Sequence, residues 1–191
     1  MKRGAIIAAA GRRIDPDDAT VARFPLTAIR ETRRRIDAAL VGRGATALVT
    51  SAACGADLLT LSVAANLRLR RRVVLPFDAE RFRETSVVDR AGDWGPVFDE
   101  TLLQLQAAGD VVILGESPDD AGYAATSEVI LEEAERMARE NGDRLVAMVV
   151  WDGHQRPGVD LTARFRESAA RRGFEIEDVL TLGADGQPYA K

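Results

Sequence analysis

At 191 residues, with 46% apolar and 29% charged residues, the chain suits one α/β domain over residues 1–182, followed by a short tail at 183–191. A formal net charge of −4 argues against general nucleic-acid binding, which favours basic domains. A lone cysteine, Cys54, rules out a disulfide within the chain, and with a lone histidine, His154, it disfavours a His/Cys metal site, so a cytoplasmic protein is expected.

Residues 4–10 read as a first strand whose unbroken apolar character suits burial on both faces. Arg12-Arg13 interrupts this run, so it is not expected to act as a secretory leader, and no later stretch approaches a membrane span. Asp15-Pro16-Asp17-Asp18 reads as a helix start, and a helix is predicted from there to about residue 41, broken near Pro25. Its Ile29, Ile36, Ala39 and Leu40 recur at helical spacing. A second strand follows at 45–50, and a second helix opens at Gly55-Ala56-Asp57. Strand three covers 73–75, stopped by Pro76, and a short helix covers 78–85. Residues 87–95 form a polar loop, a candidate lid. A helix at 97–108, a strand at 111–114, a loop at 115–122 and a helix at 124–140 come next, the last ended by Asn141-Gly142. A fifth strand at 145–150, a loop at 152–158, a helix at 160–172 and a sixth strand at 174–179 complete the domain, and the tail reads as frayed. This alternation predicts a three-layer, doubly wound Rossmann-like domain with a mainly parallel sheet in the order 3-2-1-4-5-6.

Several strands stop at turns of small residues. The first ends at Gly11-Arg12-Arg13, the second at Ser51-Ala52-Ala53-Cys54-Gly55-Ala56-Asp57, and the fifth at Trp151-Asp152-Gly153. In a parallel sheet such turns share one edge, where helix N-termini aim free N–H groups at a ligand. A pocket of nucleotide type is therefore expected there.

Ser51 to Leu59 followed by Leu75-Pro76-Phe77-Asp78 resembles the SLOG superfamily, Rossmann-like domains related to the DNA-processing protein DprA and the "lonely guy" phosphoribohydrolases. Gly11-Arg12-Arg13 sits where many members have Gly-His-Arg. Arg81-Phe82, Thr85-Ser86-Val87, Tyr123 with Ser127, and Trp151-Asp152-Gly153 followed by Gly158 and Thr162 resemble one bacterial subgroup, and the likeness spans residues 6–165. The resemblance implies a site for a nucleotide or nucleotide-derived ligand, which some members hydrolyse and others only sense. The "lonely guy" enzymes carry Pro-Gly-Gly-x-Gly-Thr and then a glutamate. This chain has Pro157-Gly158-Val159-Asp160-Leu161-Thr162 and no glutamate before Glu167. A β-branched Val159 does not easily take a positive φ and blocks close backbone approach, which weakens the hydrolase reading.

Candidate ligand-binding residues follow. Gly11 would let a ligand near the backbone, and Arg12 or, preferably, Arg13 would grip phosphate; ordinary solvated arginines are the alternative. Ser51, Ala52 and Gly55 leave room against a helix start, and Asp57 either accepts from a sugar hydroxyl or caps its own helix. Phe77 either stacks on a base or covers the core. Tyr123 and Ser127 would face the crevice. Asp152 with Gly153 would meet sugar hydroxyls or a phosphate-bound Mg²⁺, or only close their own turn. Gly158 and Thr162 would stand at the last helix start, and His154, Arg81, Arg83 and Arg156 are weaker candidates. Glu128 and Asp152 are the candidate acids for catalysis, with Glu128 also readable as an exposed helix carboxylate. Cys54 reads as a small buried filler.

Three functions stay open: a sensor of a nucleotide-derived small molecule, a nucleotide N-glycosidic hydrolase, and an oligomeric scaffold without a pocket. No cofactor is required in the first, and Mg²⁺ enters only as a companion of phosphate. The alanine-rich helices would let two or more copies associate.

Overall fold

A computed structural model describes residues 3–183, 186 and 187, so most of the predicted tail lies outside the described residues. Six strands, β1 (Ala5–Gly11), β2 (Ala45–Thr50), β3 (Arg70–Leu75), β4 (Val111–Ile113), β5 (Arg144–Trp151) and β6 (Glu175–Leu180), form one sheet. Every neighbouring pair is parallel. Six helices connect them: α1 (Ile29–Arg43), α2 (Ala56–Asn66), α3 (Ala79–Ser86), α4 (Gly95–Ala107), α5 (Asp120–Asn141) and α6 (Leu161–Arg171).

The two-residue period of β1 explains both layers. Ala5, Ile7 and Ala9 point into a core shared with α1, α2, α3 and α4, and Ile6 and Ala8 point into the core under α5 and α6. A strand covered on both sides has no use for polar residues, which is why β1 is apolar throughout.

The Rossmann-like class is as expected, but the strand order is β4-β3-β2-β1-β5-β6 rather than 3-2-1-4-5-6. The fourth strand lies outside the third. The stretch through α3 and α4 returns on the same face as α1 and α2, so each crossover adds a strand in one direction. α5 then carries the chain back across the other face. At 22 residues it is about 33 Å long, enough to lie against β3, β2, β1 and β5. The direction of winding therefore reverses between β1 and β5.

Two local predictions also change. The first helix begins at Ile29 after a 3-10 turn at Leu26–Ala28, not near Asp15. The Asp15 carboxylate accepts from the Arg23 and Phe24 amides, and its own amide donates to Phe24 O at 3.0 Å, so Asp15 closes a loop over buried Ile14 and Phe24 instead of capping a helix. β3 starts three residues early, at Arg70, where its ladder to Ala47 of β2 begins; Arg70 and Arg72 both pair with Asp110, and Arg72 also reaches Glu133.

Candidate functional site

Because all strands run the same way, the turns after them do share one edge. A cleft of about 280 Å³ opens there above the end of β1. Its floor is Ala9, Ala10 and Gly11. The β2–α2 turn supplies one wall through Ser51, Ala53 and Asp57. α5 supplies the other through Tyr123, Thr126, Ser127 and Ile130. Phe82 and Ser86 of α3 close one end, and Arg13, Asp120, Leu161 and Thr162 border the rest. The volume stands just below the usual range for small-molecule sites, about 300–1,000 Å³.

The two turns at the bottom meet tightly. A Cβ on Gly11 would come 2.3 Å from Val150 O and 2.5 Å from Ala56 Cβ. Gly55 has φ +93°, and a Cβ there would lie 2.8 Å from the Ile14 amide nitrogen. Both glycines are demanded by one turn seated on the other, which explains them without a ligand.

Four of the amides expected to be free at the start of α2 have partners. Ala53 N donates to Asp57 Oδ2 at 3.2 Å, Cys54 N to Ser86 O at 2.9 Å, Ala56 N to Arg12 O at 3.0 Å and Leu58 N to Ala53 O at 3.2 Å. These four donors are met within the protein, so an anion gains little from them. Ala52 is buried and does not face the cleft. Burial also pushes the Cys54 thiol up, against the pull of Arg13, as suits a filler rather than a nucleophile.

Asp57 both closes the turn and lines the cleft. Burial pushes its carboxyl up to about 7; the Ala53 amide, the Arg13 charge and the Thr50 hydroxyl oppose the shift without cancelling it. The group therefore changes charge near neutral pH, with hydroxyls on several sides. Tyr123 Oη lies 3.0 Å from Ser86 Oγ, and Ser127 Oγ donates to Tyr123 O at 3.1 Å.

Phe77 does not reach the cleft. It is buried with its edge to Tyr123 and its ring tilted on Phe82, and the Arg81 guanidinium lies over it at 5.7 Å. It covers the core.

Arg12 turns the other way from Arg13. Its Nε donates to Asp152 Oδ1 at 2.9 Å, Nη1 to Asp160 Oδ1 at 2.6 Å, and Nη2 to Asp160 Oδ2 and His154 O. Arg23 holds the other Asp152 oxygen at 2.6 Å. Arg12 is 3% and Asp160 1% exposed, so this is a buried strut joining the ends of β1 and β5 to the start of α6. Asp160 caps that helix through the Thr162 and Ala163 amides. Burial pushes its carboxyl up, but the Arg12 hydrogen bond and charge and the Arg156 and Ala163 amides win and hold it at about 2. Both Asp152 oxygens already accept from arginines, and the residue does not border the cleft.

Glu128 is the other displaced acid. It accepts from Arg172 Nη2 at 2.7 Å and faces a groove between α5 and α6. Gly153 and Gly158 take positive φ in an exposed loop outside the cleft. The arrangement brings together Gly11, Arg13, Ser51, Asp57, Tyr123, Ser127 and Thr162. It adds Phe82 and Ser86, from segments that carry the resemblance, and Thr126 and Asp120, which sequence patterns do not mark: Thr126 is an ordinary helix residue, and Asp120 follows the capping Asp119. Among the described residues no three His, Cys, Asp or Glu side chains gather as metal ligands, and no helix is long and apolar enough to cross a membrane.

No protein-family model matches the chain. No curated protein matches it in sequence either. Among solved structures, 92% of the chain is similar to the "X-ray structure of DNA processing protein A (DprA) from Streptococcus pneumoniae", at 12% identity and a TM-score of 0.39. The chain spans 58% of that protein's length. The Rossmann-like assignment stands on the sheet order and the two helical layers.

Proposed function

We propose that the cleft above β1 binds a small nucleoside- or nucleotide-derived molecule and that the protein is a sensing module of the SLOG kind. The observation that carries this reading is the Asp57 carboxyl in a cleft that also presents the hydroxyls of Ser51, Ser86, Tyr123, Thr126, Ser127 and Thr162 over a floor of Ala9, Ala10 and Gly11. A sugar offers several O–H donors, which suit an acceptor carboxylate beside Ser51 and Ser127. A flat base suits the alanine floor, where no side chain stands in its way. Arg13 at the rim gives a charge-assisted contact to an anionic group. Thermal-shift and calorimetric titrations with adenosine, AMP, NAD⁺, ADP-ribose and cyclic nucleotides test the reading. Binding by at least one of them, weakened in Asp57→Asn, supports it; no response at millimolar ligand rejects it.

A second reading, N-glycosidic hydrolysis, draws on the same carboxyl. A group that gains and loses a proton near pH 7 is suited to general acid–base work. In this reading Asp57 replaces Glu128 and Asp152, which do not reach the cleft. Release of free base from a nucleotide, abolished by Asp57→Asn and retained in Glu128→Gln, would select hydrolysis over sensing.

A further inference from the structure

A second groove, of about 360 Å³, runs on from the cleft and shares Gly11, Arg13, Asp120, Leu161 and Thr162 with it. The shared residues make the two one continuous depression. Their charges differ in sign. The first cleft carries two carboxyls, Asp57 and Asp120, against one cation, Arg13. The groove sets Arg12, Arg13, Arg90 and Arg156 against Asp120 and Asp160.

Arg12 is spent on Asp152 and Asp160. Of the other three, Arg13 and Arg90 share Asp89 and keep unused donors. Arg13 Nε and Arg90 Nε are buried donors without a hydrogen-bond partner. Arg156 forms no side-chain hydrogen bond or ion pair among the described residues, and burial together with the charges of Arg12 and Arg23 pushes its pKa down. Buried guanidinium donors left unmade are costly, and an anion with several acceptor oxygens removes that cost.

Asp89 already acts as a partial stand-in. It accepts from Arg13 Nη2, and its other oxygen lies 3.7 Å from Arg90 Nε, too far for a hydrogen bond. Asp89 and Arg90 sit on the segment between α3 and α4, so this ion pair fastens that segment to the end of β1.

We propose that the groove of Arg13, Arg90 and Arg156 is an anion subsite that takes the phosphoryl groups of a diphosphate-type ligand, with Asp89 as the resident anion they displace. This rests on the cleft reading only for what the ligand's neutral part is. Asp120 at the seam and Asp57 within the cleft repel an anion, so they orient the molecule: uncharged, hydroxyl-bearing end inward, phosphates toward the arginines.

The test is calorimetry of the full chain with inorganic pyrophosphate at fixed ionic strength, for the wild type, Arg90→Ala, the Arg90→Ala/Arg156→Ala pair and Asp89→Asn. Each lost arginine is expected to weaken pyrophosphate binding by roughly ten-fold or more, and Asp89→Asn to tighten it. All three substituted side chains are at least partly exposed, and circular dichroism melting checks that the variants fold. Adenosine and ADP are titrated in parallel, and ADP is expected to bind more tightly only where the arginines are present. Absent pyrophosphate binding, or equal binding by wild type and the double variant, overturns the proposal. If adenosine binds but ADP binds no better, the anion subsite fails and the cleft reading stands. If pyrophosphate binds through the arginines and adenosine does not bind, the subsite stands and the cleft reading fails.

Discussion

Gly11 at the end of β1 and Ala56 at the start of α2 approach so closely that a methyl on the glycine would sit 2.5 Å from the alanine's own. The same methyl would lie 2.3 Å from Val150 O, which is backbone and cannot swing aside. Gly11→Ala is therefore expected to destabilise the fold by about 1–3 kcal/mol or more, as overpacking does. Urea denaturation measures it. A midpoint equal to that of the wild type would mean the two turns are not seated as described.

The Arg12 strut predicts a larger loss. Arg12→Met leaves buried Asp160 without its cation and Asp152 with Arg23 alone, and breaking a buried pair costs about 3–5 kcal/mol. Asp160 adds an acid limit. Its folded pKa, about 2, lies below the ordinary 3.8, so its contribution is complete above pH 4 and disappears as pH falls through about 2. Acid titration followed by circular dichroism checks this, and Arg12→Met is expected to move the acid transition to higher pH.

Asp57 has the opposite sign. Its carboxyl ionises at about 7 in the folded chain and near 3.8 when unfolded, so unfolding releases a proton between those values. Stability from this group falls as pH rises from 4 to 7 and then levels. Asp57→Asn keeps an acceptor for the Ala53 amide and is expected to flatten that part of the melting-temperature profile and to raise the melting temperature at pH 8. An unchanged profile would mean the carboxyl is not desolvated.

Glu128 serves as the control. Its pair with Arg172 is largely exposed, at 44% and 28% for the two side chains. Such pairs contribute about 0–1 kcal/mol, so Glu128→Gln is expected to melt close to the wild type and to bind ligand unchanged. Loss of binding in this variant would move the site to the α5–α6 groove.

The alternation of apolar runs with helical patterns made the parallel sheet and its two helical layers legible, because a strand covered on both sides has no polar positions to hide it. The place of β4 was not legible: nothing in Val111–Ile113 says which edge of the sheet it joins, and only the side on which α3 and α4 return decides it. At the site, Ser51 and Asp57 could be found because a strand ends there beside a helix start. Between Arg12 and Arg13 it is largely the resemblance that favours Arg13; their local sequence does not separate them. They are neighbours in sequence, yet one turns to Asp160, 148 positions away, and the other to the cleft. Asp15 misled for a related reason: the same carboxylate that caps helices also closes loops, and here its amide partners are Arg23 and Phe24.

α5 stands as one rim of the binding depression while resting on four strands. Such a rim does not shift alone; moving it would shear the interface beneath most of the sheet. The aperture is thus rigid on that side. Any give needed to admit guests of different size must come from the other borders, beyond which the α3–α4 connection is held to the domain by the Arg13–Asp89 ion pair and by buried Val87 and Trp94.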